Sequence, residues 1–82
     1  MGNVSRGFGD ITPSYVGGMC AAFRRYQTEY SQEDVAKDVG CSREIVSKFE
    51  RGRGTNSLVF LWYIKHGIFD WMPPEQWNGW NI

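Results

Sequence analysis

The chain has 82 residues, 41% of them hydrophobic and 16% aromatic, and its nine basic residues balance nine acidic ones. This length predicts one small domain, and such a domain buries a modest fraction of its surface and is marginally stable. Zero net charge counts against a uniformly basic nucleic-acid binder, so any affinity for nucleic acid must come from how the charge is distributed.

Metal-binding and membrane-anchored classes find little support in the composition. Cys20, Cys41 and His66 are too few, and too unusually spaced, for a familiar zinc site. We therefore expect no metal and no cofactor. The two cysteines predict free thiols in a reducing cytoplasm, although a disulfide stays open. The N-terminus lacks the apolar segment of a signal peptide, and no apolar run is long enough to span a bilayer.

Residues 1–12 predict a flexible arm, because they contain three glycines and no apolar period. A first helix is expected to begin at Pro13 or Ser14, with Thr12 as its cap, and to run to about Glu29. Its apolar residues recur at helical spacing: Val16, Met19, Cys20, Phe23 and Tyr26. The adjacent Gly17 and Gly18 weaken this prediction, since each costs about 1 kcal/mol relative to Ala in a helix interior.

The stretch SQEDVAKDVGCSREIVSKFERG predicts two short helices with a sharp break between them. Ser31 and Asp34 form a capping-box pattern at the start of the second helix. Gly40 suits a left-handed end to that helix, and Ser42 suits the cap of the third. The apolar residues expected in the core are Val35, Ala36 and Val39 from the second helix and Ile45, Val46 and Phe49 from the third.

The free face of the third helix carries side chains of the kinds that read base edges in a major groove. These are Arg43, Glu44, Ser47, Lys48 and Arg51. Four basic residues lie between positions 43 and 53, whereas the ten residues from Glu29 to Asp38 contain four acidic residues and one basic residue, Lys37. Two short helices joined by a glycine-containing turn describe a helix-turn-helix.

A fourth helix is expected to begin at Thr55 or Asn56 and to end at Gly67 after Lys65. Its predicted buried positions are Leu58, Leu61, Trp62 and Ile64. Residues 68–82 form an aromatic tail, with a short helical turn expected at residues 74–77. This tail either folds onto the domain's own core or pairs two subunits, because aromatic residues are enriched at interfaces.

The segment YSQEDVAKDVGCSREIVSKFERGR resembles the lambda-repressor-like, Cro/Xre-type helix-turn-helix family. The matching residues are Ser31, Gln32, Val35, Ala36, Gly40, Ser42, Arg43, Val46, Ser47, Phe49, Glu50 and Gly52. The resemblance implies an all-α domain of four to five helices over residues 13–67, with the helix-turn-helix as helices two and three. It covers about 22 residues densely and the rest of that range loosely.

The resemblance also implies roles for individual residues. Those expected to face bases are Arg43, Glu44, Ser47 and Lys48. Those expected at DNA phosphates are Gln32, Ser42, Arg51 and Arg53, and Gln32 would also buttress the third helix. Arg25 would form a structural ion pair with Glu50. Two features depart from the family: Glu44 would repel phosphate unless it accepts from cytosine, and the fourth helix is mostly apolar.

These patterns predict a sequence-specific regulator of transcription that binds double-stranded DNA, a bacterial or phage repressor acting by operator occupancy. A homodimer is expected, with pairing candidates Trp62, Phe69, Trp71, Trp77 and Trp80. The alternative is a protein-interaction module that uses the aromatic tail, because fold does not determine function. No catalytic set or phosphate-binding loop stands out, so neither an enzyme nor a small-molecule ligand is expected.

Overall fold

A computed structural model describes residues 12–73, which fold into five α-helices. They are α1 (Pro13–Gln27), α2 (Gln32–Val39), α3 (Arg43–Glu50), α4 (Ser57–Lys65) and α5 (Ile68–Trp71). This range contains no strand, which confirms the predicted all-α class. Most of the predicted arm lies outside the described residues, as do the expected turn at residues 74–77 and two pairing candidates, Trp77 and Trp80.

Polar side chains cap the first four helices where the sequence predicted. The hydroxyl of Thr12 accepts from the Tyr15 N–H at 3.1 Å, and the hydroxyl of Ser42 caps α3. Ser31 and Asp34 form the complete capping box on α2. Of the two alternatives for α4, Asn56 is the cap, and its side-chain oxygen accepts from the N–H of the third helical residue. Each cap satisfies a backbone donor that a helix start leaves unpaired.

The turn between α2 and α3 depends on a left-handed glycine. Gly40 has φ of 87°, a conformation that costs a residue with a Cβ about 1–2 kcal/mol. The N–H groups of Gly40 and Cys41 both donate to the Ala36 carbonyl, at 2.8 and 3.0 Å. Only three residues therefore separate the two helices, and α3 starts at once in a new direction.

Every helix contributes to one hydrophobic core. Its buried members are Cys20, Phe23, Val35, Ala36, Val46, Phe49, Val59, Trp62, Tyr63 and Ile68. Val35 in α2 and Val46 in α3 are both fully buried, one on each side of the turn. In this core α3 packs against α1, α2 packs against α4, and α5 packs against both α1 and α4.

Gly17 allows α1 to lie directly against the end of α3. A Cβ at this position would overlap the backbone carbonyl oxygens of Phe49 and Glu50. This close approach accounts for a glycine that weakened the predicted helix. The neighbouring Gly18 faces open space, and nothing in the structure explains a glycine there.

Several predicted core positions are wrong. Tyr26, in the last turn of α1, is 75% exposed, and Ile45 in α3 is also exposed. In α4, Leu58 and Leu61 are exposed, whereas Val59 and Tyr63 are buried. The cause in α4 is that its sequence, SLVFLWYIK, is apolar nearly all round, so periodicity alone cannot choose the buried face.

The described start of the tail belongs to the core. Ile68 is fully buried, and the Trp71 ring packs on Phe23 with centroids 5.8 Å apart. Phe69 packs edge-on against Phe60 at 6.2 Å. The folded unit therefore continues beyond Gly67, which is itself a left-handed glycine with φ of 103°.

Trp62 is not available as a pairing residue, which corrects that prediction. Its side chain is 5% exposed. The indole stacks on the ring of His66 with centroids 3.8 Å apart and meets the ring of Tyr30 edge-on at 5.1 Å. Its N–H donates to Asp38 at 3.0 Å. Packing inside one chain therefore satisfies both the ring and its polar atom.

Candidate nucleic-acid interface

The inner side of α3 anchors the helix in the core. Val46 is fully buried and Phe49 is 6% exposed. The Phe49 ring stacks on Tyr63 with centroids 6.0 Å apart and also contacts Phe60 at 6.2 Å. Aromatic contacts of this kind add about 0.5–1.5 kcal/mol beyond the area they bury. The helix is consequently positioned by side chains that point away from its outer face.

A buried charge network ties the end of α3 to three other helices. The Glu50 carboxylate accepts two hydrogen bonds from Arg24 of α1, from Nε at 2.8 Å and from Nη2 at 3.1 Å. Gln32 of α2 donates to it at 3.0 Å. The Tyr63 hydroxyl of α4 is a fourth donor. Arg24 also donates to the Tyr30 carbonyl at 3.3 Å.

Glu50 pairs with Arg24, which corrects the predicted pairing with Arg25. Successive residues of a helix point about 100° apart, so Arg24 and Arg25 do not both reach Glu50. Arg24 lies four residues after Cys20 and seven after Gly17, both buried, and Arg25 points to solvent. Gly17, Cys20 and Arg24 lie on one side of α1, but the burial of Gly17 is evident only from the structure, so the sequence alone did not identify Arg24.

The network keeps Glu50 charged despite its burial. Burial by itself raises the pKa of the Glu50 carboxyl, but the hydrogen bonds from Arg24, Tyr63 and Gln32 outweigh it and lower the pKa below its ordinary value. The hydrogen bond to Glu50 raises the pKa of Arg24. Burial, together with the Glu50 charge, raises the pKa of Tyr63, which therefore remains a donor. Across residues 12–73 no buried side-chain polar atom lacks a partner.

The outer face of α3 has the opposite character. Arg43, Glu44, Ile45 and Lys48 are exposed, and Ser47 is half-buried. The one ion pair found in the described range joins Arg24 and Glu50, so the basic residues of this face are not engaged by acidic neighbours there. We call this set, Arg43, Glu44, Ile45, Ser47 and Lys48, the α3 face.

Ile45 is the member of the α3 face that sequence reasoning assigned to the core instead. It is 38% exposed. It lies three residues before Lys48, and that spacing places two side chains on the same side of a helix. An exposed branched aliphatic residue among charged ones adds an apolar contact to this surface. From the sequence, Ile45 could not be distinguished from the core residues Val46 and Phe49, because all three are apolar residues of one short helix.

The loop after α3 holds two further arginines on the outside. The Arg53 N–H donates to the Lys48 carbonyl at 2.8 Å, and the Gly52 N–H donates to the Phe49 carbonyl at 3.1 Å. With Gly52 at φ of 75°, this is the Schellman pattern of helix ends. Arg51 and Arg53 are both exposed. The cap therefore fixes the backbone that carries them while it leaves their side chains free in solvent.

Gln32 and Ser42, predicted at phosphates, have observed structural roles. The amide nitrogen of Gln32 donates to Glu50, so Gln32 does buttress α3. The hydroxyl of Ser42 accepts from the Ile45 N–H at 3.3 Å and is exposed at the start of α3. Their contacts with phosphate stay a prediction.

Other kinds of site are weakly supported. Over the described range, no group of three or more His, Cys, Asp or Glu side chains is placed to hold a metal ion. None of the five helices is long and apolar enough to cross a membrane. Cys20 and Cys41 are free thiols. A groove of about 510 Å³ between the start of α1 and the start of α4 is lined mainly by apolar atoms and carries no charged side chain.

Comparisons of this chain with protein-family models, with curated proteins and with solved structures gave no match. The function is therefore inferred from the geometry of α3 and its surroundings.

Proposed function

We propose that this protein binds double-stranded DNA sequence-specifically through a lambda-repressor-like helix-turn-helix, with α3 in the major groove, and that it regulates transcription. The observation that carries the proposal is the division of α3 into two sides. Its inner side is anchored by the core and by the Arg24–Glu50 network, whereas its outer side presents uncompensated basic residues.

The dimensions of α3 suit this role. An α-helix with its side chains is about 10–12 Å across, and the major groove of B-DNA is about 12 Å wide. The eight residues of α3 extend about 12 Å along its axis at 1.5 Å per residue. The three-residue turn after α2 keeps α2 and α3 in contact, so the two helices can approach the duplex together.

The α3 face offers a chemically mixed set of contacts. Arg43 and Lys48 suit guanine, whose O6 and N7 accept hydrogen bonds, and Glu44 suits the donor group of cytosine. Ile45 suits the methyl group of thymine, and Ser47 suits several bases. Two basic side chains and one acidic side chain together favour discrimination between base pairs over equal affinity for every sequence.

Phosphate contacts are assigned to the residues that flank α3. Arg51 and Arg53 extend from the loop after it, and Ser42 and Gln32 lie at the starts of α3 and α2. Contacts of this type orient a protein on the duplex but carry no sequence information. Zero net charge then predicts modest affinity for random DNA, because non-specific binding is almost entirely electrostatic.

Selection of bound duplexes from a random library tests the proposal. The native chain should enrich a defined motif. The double variant Arg43→Ala/Lys48→Ala should lose that enrichment, whereas Arg25→Ala should retain it. Arg25 is a matched control, since it is an exposed arginine on a different helix. Enrichment of no motif by the folded native chain would contradict sequence-specific binding.

A second candidate is a protein-interaction module, and one observation favours it. Leu58 and Leu61 are exposed side by side on α4, so the contact surface would be α4 and not the described aromatic residues of the tail, which pack on Phe23 and Phe60. Salt separates the two functions. DNA affinity should fall steeply as salt rises because bound phosphates release counterions, whereas an apolar contact should hold or strengthen.

A further inference from the structure

The starts of α1 and α4 enclose an apolar groove of about 510 Å³. Val16 of α1, Phe49 of α3 and Phe60 of α4 line it, and its described lining contains no charged side chain. We call it the α1–α4 groove. Its volume lies in the range of about 300–1,000 Å³ that proteins use to hold drug-sized molecules, so the groove has room for more than one side chain.

The chain passes the rim of the α1–α4 groove at the start of α1. Thr12 and Pro13 both line the groove, and the Thr12 hydroxyl is held because it accepts from the Tyr15 N–H at 3.1 Å. Residues 1–11 lie outside the described range and are joined to the chain at this rim. An extended chain covers at most about 3.6 Å per residue, so residues 8–11 all lie within about 14 Å of Thr12.

The residue directly before the helix cap has a favoured packing partner. In a hydrophobic staple, an apolar residue at that position packs against the fourth residue of the helix. Thr12 is the cap and α1 begins at Pro13, so the two positions are Ile11 and Val16. Val16 is half-buried and lines the α1–α4 groove. A staple at this helix start would therefore place Ile11 in the groove.

The sequence before Ile11 carries one aromatic side chain, Phe8, between two glycines. Because glycine has no side chain, the backbone on either side of Phe8 can approach a surface closely. The aromatic lining of the groove suits the Phe8 ring, since aromatic pairs contribute beyond the area they bury. The nearest charged residues, Arg6 and Asp10, lie outside the Gly-Phe-Gly unit, so the ring can enter the groove while both charges stay in solvent.

We propose that residues 8–11 of this chain cover the α1–α4 groove, with Ile11 against Val16 and the Phe8 ring against Phe49. The occupant is a segment of the same chain because the chain is attached at the rim. A short flexible connection gives such a segment an effective concentration of about the millimolar range, and a separate molecule has no such advantage.

The docked segment clamps the end of α3. The groove includes Phe49, which anchors α3 in the core, and Gly54, which follows Arg53 in the loop after α3. Gly52 of this loop already lies against the start of α1, since a Cβ there would overlap the backbone of Ser14. Phe8 adds an apolar contact where the starts of α1 and α4 meet the end of α3.

This docking goes beyond the proposed DNA binding and does not depend on it. It differs from the expectation of a flexible arm over residues 1–12, because it fixes residues 8–11 by contacts that lie far from them in sequence. Periodicity within the arm gives no sign of those contacts.

Nuclear Overhauser contacts in the isotopically labelled full chain, measured without DNA, test the docking directly. The Phe8 ring and the Ile11 methyl groups should both show contacts to the Val16 methyl groups. Contacts to Val16 from Trp77 or Trp80 in place of Phe8 would make the tail the occupant and overturn the proposal. The absence of any contact between Phe8 and the groove would also overturn it.

Urea unfolding of the full chain gives a second test. Phe8→Ala should lower the ratio of folded to unfolded chain by at least about threefold, because the gain from burying the ring exceeds the entropy lost in ordering the segment. Val4→Ala truncates an apolar residue farther from Thr12 in the same arm and should change the ratio by less than about twofold. Equal changes in the two variants would contradict docking through Phe8.

A double-mutant cycle locates the contact. If Phe8 and Val16 meet in the groove, the effect of Phe8→Ala and Val16→Ala together should differ from the product of the single effects by more than about twofold, the limit for independent sites. The control cycle pairs Phe8→Ala with Leu61→Ala, an exposed position outside this groove, and should show independent effects. Independence in the first cycle would overturn the docking, and if Val16→Ala does not fold, the Overhauser contacts decide.

None of these measurements contains DNA. A refuted docking would therefore leave the proposed DNA binding standing, and a failure of the library selection would leave the docking standing.

Discussion

Glu44 and Glu50 lie six residues apart on the same helix, yet the structure gives them opposite situations. Glu44 is exposed on the α3 face and has no ion-pair partner in the described range. Glu50 is 6% exposed and accepts hydrogen bonds from Arg24, Gln32 and Tyr63. A charge that is fully satisfied inside the chain stabilises the fold. A charge that is not satisfied there remains available to a ligand.

The same difference separates the adjacent residues Arg24 and Arg25. Both count equally toward the zero net charge of the chain, but Arg24 forms an ion pair with Glu50 whereas Arg25 is exposed to solvent. The buried pair removes one basic and one acidic residue, so the net charge of the other residues is still zero, and it is the local distribution that makes the surface near α3 basic. The number of basic side chains without an internal partner is the better guide to what a surface can bind.

The largest expected effect is the loss of the buried pair. Arg24→Ala leaves Glu50 buried without its main donor, and breaking a buried pair costs about 3–5 kcal/mol. Arg25→Ala should change stability by less than about 0.5 kcal/mol, as surface substitutions usually do. Thermal and urea unfolding of the two variants measure this. Equal losses would contradict the assignment of Glu50 to Arg24.

The contact between α1 and α3 gives the next largest effect. Gly17→Ala forces a methyl group against the carbonyl oxygens of Phe49 and Glu50, and overpacking of this kind costs about 1–3 kcal/mol or more. Gly18→Ala meets nothing within 4 Å and should stabilise the helix by up to about 1 kcal/mol. Urea unfolding of the two variants should show changes in the free energy of unfolding that have opposite signs. Changes of the same sign would contradict the direct contact between α1 and α3.

Acid should destabilise the fold through the buried end of α3. Because the pKa of Glu50 is lowered in the folded chain, its contribution is fully present above its ordinary pKa of 4.5. That contribution is lost as pH falls through the lowered value. Glu50→Gln should therefore flatten the loss of stability below pH 4.5. Asp34, whose pKa the Ser31 cap also lowers, should cause the smaller acid-dependent loss of stability that remains in the Glu50→Gln variant.

On DNA, two arginines near α3 should behave differently. Arg43→Ala should cost about 1–3 kcal/mol on the selected site and relax the preference at one base pair. Arg53→Ala should weaken all duplexes alike and reduce the slope of log K against log salt by about 0.9. Fluorescence anisotropy over a salt series measures both. Identical patterns would contradict the division between base and phosphate contacts.

Local sequence signals predicted much of this fold, since caps and turns depend on neighbouring residues. Ser31, Asp34, Gly40 and Ser42 are where the local rules require them. The wrong predictions concern positions where tertiary packing determines which residues are buried. Because α4 is apolar on nearly all sides, its sequence does not show which side is buried. Leu58 and Leu61 were therefore predicted in the core, and Trp62 was predicted at a subunit contact.

The composition of the α3 face was also predictable from sequence, apart from Ile45. The partner of Glu50 was not, because the resemblance pointed to Arg25 while the helical phase of α1 selects Arg24. A one-residue difference in a helix moves a side chain by about 100°. Family analogy gave the right acid and the right helix, but only the packing of Gly17 against α3 fixes the phase.

Backbone amide NMR shifts on titration with the selected duplex test the central claim most directly, because they report where the ligand lies. We expect the largest changes at residues 43–48 and at Arg53, with small changes at Arg25 and Tyr26 on α1. Changes confined to α4 and the end of α2, or no changes at a concentration that saturates the selection assay, would contradict DNA recognition by α3.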